Sequence, residues 1–259
     1  MTHEPKYDPA QSYQWNYDHA PEPVEIDIPC VPGNWQFAGI RMASPLGIPA
    51  GPLLNGRWCL YYASLGFDFL TYKTVRSIER ECYPLPNLLP VECGQLAGDE
   101  QRLAATDIMH GSWAVSFGMP SKSPDDWRQD IETTRAKLSK GKLLSVSVVG
   151  TIQDGWSIDQ LAQDYAKCAR WAVESGADCI DIWPRRHADQ REQVEAMGHG
   201  RFAELLRTHG VKLGMITRYD LGPFRLQEEM RVLKKFGGRL LVAGSTGTKA
   251  TTAAELKTE

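Results

Sequence analysis

Residues 143–183 read LLSVSVVGTIQDGWSIDQLAQDYAKCARWAVESGADCIDIW, and this stretch decides the fold class. Its first seven residues, 143–149, form a nearly continuous apolar run, which is typical of a strand buried on both faces of a parallel sheet. A helix begins after Ser157, whose hydroxyl caps the first turn, and it ends at Gly176. Its apolar stripe recurs at helical spacing: Ile158, Leu161, Tyr165, Cys168 and Ala172. A second strand over 178–183 completes a β–α–β unit.

The same alternation of strands and helices continues on both sides of this unit. Six strands are predicted: 46–50, 67–72, 143–149, 178–183, 211–217 and 239–243. A helix begins after Ser123, with proline in its first position and two carboxylates, Asp125 and Asp126, near the positive end of its dipole. Two later helices are predicted over 192–209 and 223–236. Parallel strands with right-handed crossovers define an α/β protein, two units short of a closed (β/α)8 barrel.

Two segments depart from this alternation. Residues 1–35 are rich in proline, polar and aromatic residues, which predicts an extended arm without a regular element that wraps a larger body. Residues 75–121 include the proline-rich run CYPLPNLLP. Long insertions after a barrel strand usually carry the substrate end of a site, and we expect the same here.

The composition excludes several classes of protein. The chain has 259 residues, 42% hydrophobic and 24% charged, with a net charge of -3. These values indicate a globular protein without the positive field that nucleic acid requires. We expect no membrane span and a cytoplasmic location, because no sufficiently long apolar run or leader peptide is present. Six cysteines without a CxxC spacing predict free thiols and no metal site.

Three motifs carry a resemblance to a known family: SPLGIPAGPLLNG at 44–56, LGFDFLTYKTVRS at 65–77 and VSFGMPS at 115–121. In their order and spacing, they resemble the dihydroorotate dehydrogenase family of FMN-binding barrels. The resemblance extends over 35–181 and weakens toward residue 212. It implies a TIM (β/α)8-type barrel over 36–259, behind an arm of residues 1–35. We expect this barrel to be divergent, incomplete at about six βα units, and shortened at its C-terminal end.

The resemblance places the flavin beside the first two strands. Ala50 and Gly51 are small residues after the first strand, where a flat ring approaches the backbone. Lys73 matches the lysine at the end of the family's second strand, with Thr74 beside it, and a cation there stabilises negative charge on flavin or substrate. Lys212 matches the lysine of the fifth strand. The alternatives are a simple turn at Gly51 and lysines that extend to the protein surface.

Four residues are assigned to the substrate end of the site: Asn55, Ser116, Gly118 and Met119. The alternative for Asn55 is the N-cap of a helix that begins at residue 56. The family has asparagine at both ends of the segment that corresponds to 115–121, where this chain has valine and serine. Recognition of the pyrimidine ring is therefore expected to differ.

The family's catalytic base is replaced in this chain. By register, Arg186 of the segment WPRRH stands at the position of the base, and a guanidinium cannot accept a proton at neutral pH. His187, the next residue, titrates in the required range and is the candidate base. The alternatives are a solvated loop, or a site at which Arg185 and Arg186 bind the carboxylate or phosphate of another substrate.

The flavin phosphate has one candidate site late in the chain. Gly244 and Ser245 belong to AGSTGT at 243–248, a loop of small residues whose amides are able to surround a phosphate. A turn that caps the following helix is the alternative.

These features lead to one principal function and two alternatives. The principal hypothesis is an FMN-dependent oxidoreductase of pyrimidine metabolism that acts on dihydroorotate or a related cyclic substrate, with a soluble electron acceptor. We expect a homo-oligomer that binds neither nucleic acid nor membrane. The first alternative is an inactive barrel remnant that acts in binding or assembly. The second is Schiff-base chemistry at a buried Lys73 or Lys212.

Overall fold

The computed structural model describes residues 7–37, 39–94, 102–108, 112–151, 153–182, 204–205 and 207–209, and the backbone of two further strands at 215–217 and 239–241. The chain divides into two compact units. The first unit comprises Met1–Leu85 and Phe117–Lys212, and the second comprises Pro86–Ser116 and Leu213–Glu259. The predicted division into an arm of residues 1–35 and a domain of residues 36–259 stays a prediction.

The helices and strands of the described residues follow one another along the chain in a fixed order. They are α1 (Tyr13–Asp18), β1 (Trp35–Phe37), β2 (Ile40–Met42), β3 (Gly47–Ile48), α2 (Gly56–Ser64), β4 (Phe69–Val75), β5 (Leu88–Glu92), β6 (Ala104–Ala105), β7 (Trp113–Val115), α3 (Pro124–Lys137), β8 (Leu143–Val148), α4 (Ile158–Glu174), β9 (Cys179–Ile182), β10 (Met215–Thr217) and β11 (Arg239–Leu241). Five of the six predicted strands contain one of these strands, and the sixth, 67–72, overlaps β4.

A four-stranded parallel sheet with the order β3-β4-β8-β9 forms the framework of the first unit. All six residues of β8 are buried, as the continuous apolar run predicted. Strand β4 extends to Val75, three residues beyond the predicted end, because it continues to pair with β8 through an irregularity between Tyr72 and Val75. In the second unit, β10 pairs with β11 in parallel.

Local sequence signals determine where α3 and α4 begin. The Ser123 hydroxyl accepts from the Asp126 N–H before α3, with Pro124 in the first turn. Ser157 and Gln160 form the predicted capping box of α4. Gly176 follows α4 with a φ of +106°, a left-handed conformation that glycine adopts readily. The predicted helix over 192–209 is described only at its end, and the one over 223–236 lies outside the described residues.

Helices α2, α3 and α4 bury their apolar sides in one core with β4 and β8. Its largest fully buried side chains include Trp127, Tyr165, Leu70, Ile131, Leu144 and Leu161. Burying a residue of this size typically contributes about 1.5–3 kcal/mol. The core therefore holds the carboxyl ends of the parallel strands, where the predicted site residues begin, in a fixed arrangement.

The arm differs from its prediction in one respect, since it contains the short helix α1. The Ser12 hydroxyl caps this helix by accepting from the Trp15 N–H at 3.0 Å. The Asn16 side chain is buried and donates to the Asp8 and Ser12 carbonyls. Because proline content alone gave no sign of these local bonds, the expectation of an arm without regular structure was wrong for Tyr13–Asp18.

The insertion predicted over 75–121 contains an antiparallel sheet of its own, with the order β6-β5-β7. We call it the insertion sheet, and it lies in the second unit. All three residues of β7 and both residues of β6 are exposed. The insertion is therefore built from short strands with solvent-facing side chains.

Candidate functional site

Strand β4 contains a local irregularity at the predicted lysine. Tyr72 pairs with Val146 and Val75 pairs with Val148, so two residues of β4 face one residue of β8 between these pairs. Lys73 and Thr74 lie in this bulge. An extra residue re-aims the side chains around it, and such bulges are frequent beside active sites. Thr74 Oγ1 lies 3.2 Å from Ser147 Oγ, which links the two strands at this point.

The ammonium group of Lys73 is held in a largely buried position. The residue is 6% exposed, and its Nζ donates to the Gly51 carbonyl at 2.8 Å. The same atom lies 4.2 Å from the centroid of the Phe117 ring and 5.3 Å from that of Tyr13. Aromatic faces attract a cation, particularly where water is excluded. The alternative in which Lys73 extends along the surface is therefore wrong.

Gly51 has a carbonyl that is held by Lys73 and an unobstructed Cβ position. No described atom lies within 4 Å of the position that a Cβ would occupy there. A flat ring therefore has room to approach this backbone, with the Lys73 ammonium beside the Gly51 carbonyl. The described residues Ala50, Gly51, Lys73 and Thr74 fit the ring of a flavin in these two respects.

A cavity of about 380 Å³ opens beside Lys73. Small-molecule sites typically measure about 300–1,000 Å³, so this cavity has space for a small ligand. Tyr13 and Tyr17 of α1 form part of its wall. Its other polar lining includes Glu79, Arg80, Glu81, Cys82, Ser121 and Lys122. Burial raises the pKa of Tyr17 to about 12, and this phenol is therefore a neutral hydrogen-bonding group at physiological pH.

Asn55 occupies the N-cap of α2, the alternative that the sequence left open. Its Oδ1 accepts from the Trp58 N–H at 3.1 Å, and its Nδ2 donates to the Tyr17 carbonyl at 2.7 Å. The residue is buried. Asn55 thus joins the arm to α2, and its assignment to the substrate stays a prediction.

The loop over 117–121, which we call the return loop, has a constrained backbone. Gly118 has a φ of +76°, and a Cβ there would lie 2.7 Å from the Tyr83 ring. Met119 has a φ of +54°, a left-handed conformation that costs a non-glycine residue about 1–3 kcal/mol. Both predicted substrate residues therefore belong to a strained turn that begins at Phe117, beside the Lys73 ammonium.

Arg76 was not identified from the sequence. It follows β4 directly and is fully buried. Its Nε donates to the Met119 carbonyl at 3.0 Å, and its Nη1 donates to the Gly150 carbonyl at 3.1 Å. Burial lowers the pKa of this guanidinium to about 10, so it stays charged at neutral pH. The run TVRS resembles any strand end, and only the contacts with distant carbonyls distinguish this arginine.

The other predicted site residues lie in the second unit or outside the described part of the chain. Ser116 lies in the second unit, where its N–H donates to the Asn87 carbonyl at 2.8 Å. Four residues lie outside the described part of the chain: His187, Lys212, Gly244 and Ser245. Their roles stay predictions. Within the described segments, no helix is long and apolar enough to span a bilayer, and no three His, Cys, Asp or Glu side chains form a metal-binding cluster.

Comparison with curated proteins identifies one relative. No protein-family model matches the chain. A dihydroorotate dehydrogenase of Dictyostelium discoideum is 30% identical over 198 residues, which are 69% of this chain and 52% of that protein. The chain thus spans about half the length of the curated relative that it matches.

Comparison with solved structures identifies the fold. Ligand-free dihydroorotate dehydrogenase from Eimeria tenella superposes with a TM-score of 0.61 at 13% identity, over 94% of this chain and 71% of that one. The ferulenol complex of the Eimeria tenella enzyme superposes with a TM-score of 0.61 at 15% identity, over 89% of this chain and 64% of that one. These likenesses confirm the predicted α/β fold class of the TIM-barrel type. The chain is a divergent member of the dihydroorotate dehydrogenase family.

Proposed function

We propose that this protein is an FMN-dependent oxidoreductase of pyrimidine metabolism that oxidises dihydroorotate or a related small cyclic substrate. The observation that carries the proposal is the placement of Lys73. Its ammonium is buried at the carboxyl end of a parallel strand and donates to the Gly51 carbonyl, while no described atom lies within 4 Å of the Cβ position of Gly51. The carboxyl ends of the strands are where barrel enzymes hold their active sites.

Ala50, Gly51, Lys73 and Thr74 would hold the flavin ring. When bound, FMN supplies the hydride acceptor for the substrate. The Lys73 ammonium places a fixed positive charge where negative charge develops, and the rings of Phe117 and Tyr13 keep water from it. Lys212, Gly244 and Ser245 are proposed for the rest of the flavin site on the family resemblance alone.

The substrate is proposed to bind beside the return loop. Pro120 and Ser121 of this loop line the cavity beside Lys73, whose lining also includes charged groups of both signs, which suits a small polar molecule. Gly118 and Met119 are proposed for the substrate on the family resemblance. Oxidation of a CH–CH bond also removes a proton from the carbon next to the one that loses hydride. His187 is proposed to accept this proton, since Arg186 cannot.

The first experiment is to purify the protein, release any bound chromophore, and identify it by absorbance and mass. We expect FMN, together with reduction of an artificial acceptor that depends on dihydroorotate. Colourless protein that fails to take up added FMN would contradict the proposal. If FMN is bound but no tested substrate is oxidised, the proposed oxidation is wrong and the binding or assembly alternative gains support.

A lysine pair in the same cavity provides a matched test of the site. Lys73→Met is expected to lower kcat/KM on the order of 10²-fold, the loss typical of one preorganised charge donor. Lys122→Met is the control, because Lys122 lines the same cavity but its Nζ donates to Gln14 and lies over the Tyr17 ring. Equal losses in both variants would contradict a specific role for Lys73. Borohydride trapping of a carbonyl compound on Lys73 would instead favour Schiff-base chemistry.

A further inference from the structure

Arg76 connects the return loop to the carboxyl ends of two strands. Its side chain leaves the end of β4 and donates to Met119 in the loop and to Gly150 just after β8. These partners lie 43 and 74 residues away along the chain. A single side chain therefore links the return loop to the ends of two parallel strands.

The main chain of Arg76 adds two more bonds at the same point. Its N–H donates to the Ser121 hydroxyl at 3.0 Å, and its carbonyl accepts from the Trp127 indole N–H at 3.0 Å. Ser121 also pairs with Arg80 through a two-way backbone bridge. The far end of the return loop is thus attached to the chain by Arg76 and Arg80, whereas Met119 is held by the guanidinium.

Arg76 has no carboxylate within salt-bridge distance among the described residues, and Asp164 favours its charge only from farther away. Its Nη2 has no hydrogen-bond partner among those residues. Buried charges without a paired carboxylate are disfavoured, and an apolar side chain of similar size usually stabilises a core better. The two fixed carbonyl contacts are therefore the distinctive feature of this arginine.

Met119 has a backbone conformation that needs a stabilising contact such as the one from Arg76. A left-handed backbone is unfavourable for methionine, and surrounding contacts must hold it in place. The guanidinium donates to the carbonyl of this same residue. Lys73, three residues before Arg76, faces Phe117 at the start of the loop. The spacing between Lys73 and the backbone of 118–119 thus depends on Arg76.

We propose that Arg76 is a positioning residue, which holds Gly118 and Met119 at the distance from Lys73 that substrate binding requires. This inference rests on the proposed function for its catalytic consequence. Its structural consequence, a return loop held by the guanidinium, is independent of turnover and is tested separately.

The kinetic test uses the full chain loaded with FMN and dihydroorotate as substrate. Arg76→Met is expected to raise KM about tenfold with unchanged FMN content, since small misplacements of binding groups have effects of this size. In the Met119→Gly background the same change is expected to raise KM less than about threefold, because glycine adopts the left-handed turn unaided. Arg128→Met, at an exposed ion pair with Glu174, is the control. An equal effect of Arg76→Met in both backgrounds would overturn the proposal.

The structural test needs no substrate. Lys122 follows the return loop, and tryptic cleavage after it reports how often the loop opens. Cleavage there is expected to be about tenfold faster in Arg76→Met and to return toward the wild-type rate in Arg76→Met with Met119→Gly. Unchanged cleavage in Arg76→Met overturns the proposal even in a protein without turnover. Absence of FMN and turnover in the wild type, with faster cleavage in the variant, contradicts only the proposed function.

Arg76→Lys keeps the inference testable if Arg76→Met does not fold. A lysine retains the charge, but its ammonium lacks the planar fork that serves two carbonyls at once. We expect KM and the cleavage rate of this variant to lie between those of the wild type and Arg76→Met. Values equal to those of the wild type show that charge alone suffices, and they overturn the positioning role.

Discussion

Strand β8 and the strands of the insertion sheet are all short, but they differ in how deeply their side chains are buried. Every residue of β8 is buried between two neighbouring strands and the helices around them. In the insertion sheet, all residues of β7 and β6 are exposed, and β5 has one buried residue, Val91. A parallel strand that is covered on both faces holds the residues at its end in fixed positions, because close-packed interiors deform little.

This difference explains where the candidate site is built. Lys73 and Arg76 both lie at the end of β4, the neighbour of β8, and both are buried there. Binding groups on a packed strand keep their geometry, whereas a residue such as Ser116 at the end of an exposed strand depends on local bonds. The comparison predicts that matched substitutions in the two regions differ strongly in their effect.

A pair of tryptophans provides the largest expected contrast. Trp127 on α3 is 1% exposed, and Trp113 on β7 is 41% exposed. Trp127→Ala is expected to reduce the free energy of unfolding by about 3–5 kcal/mol, since it leaves a cavity in the core. Trp113→Ala is expected to change it by less than about 0.5 kcal/mol. Urea unfolding followed by circular dichroism measures both, and comparable losses would remove the distinction between the regions.

A pair of glycines tests packing with a smaller change. At Gly56, the first residue of α2, an added Cβ would clash with Thr134 Oγ1 and approach Asp130 Oδ1 to 2.8 Å. Gly56→Ala should therefore cost about 1–3 kcal/mol by overpacking. Gly94, after β5, has no described atom within 4 Å of its Cβ position. Gly94→Ala serves as the control, with an expected shift near zero in the urea midpoint.

An exposed pair at the start of α4 sharpens the comparison, because it belongs to the first unit but lies at its surface. The hydrogen bond from His209 Nε2 to Asp159 Oδ1, at 3.1 Å, is the main cause of a lowered pKa of this carboxyl. A pKa below the unfolded value stabilises the fold above that value and loses this contribution as the pH falls through the folded pKa.

The expected effect of this pair is the smallest of the three. The urea midpoint of the wild type should fall more between about pH 5 and about pH 3 than that of Asp159→Asn. Asp154→Asn, at an exposed turn before α4, is the matched control and should follow the wild type. If the urea midpoint of the wild type falls with pH in parallel with that of Asp159→Asn, the pair contributes nothing to stability.

Local signals predicted much of the framework. The correctly predicted features all depend on residues within one turn or one strand. They are the caps at Ser123 and Ser157, the glycine at 176 and the apolar run of β8. Helix α1 was missed because its cap lies in a proline-rich segment. Asn55 fitted two roles from the sequence, and the Trp58 N–H shows that it is the N-cap, while its role toward the substrate stays a prediction.

The sequence by itself determined the order of the parallel strands with α3 and α4, the family, and the choice of Lys73, because periodicity, capping residues and motifs are encoded by near neighbours in the chain. Only the tertiary structure decided that Lys73 lies in a bulge beside Phe117, and that Arg76 joins Met119 to Gly150. Those contacts link residues tens of positions apart. They exist because packing of the parallel sheet and its helices brings distant backbone groups to one strand end, which no local pattern records.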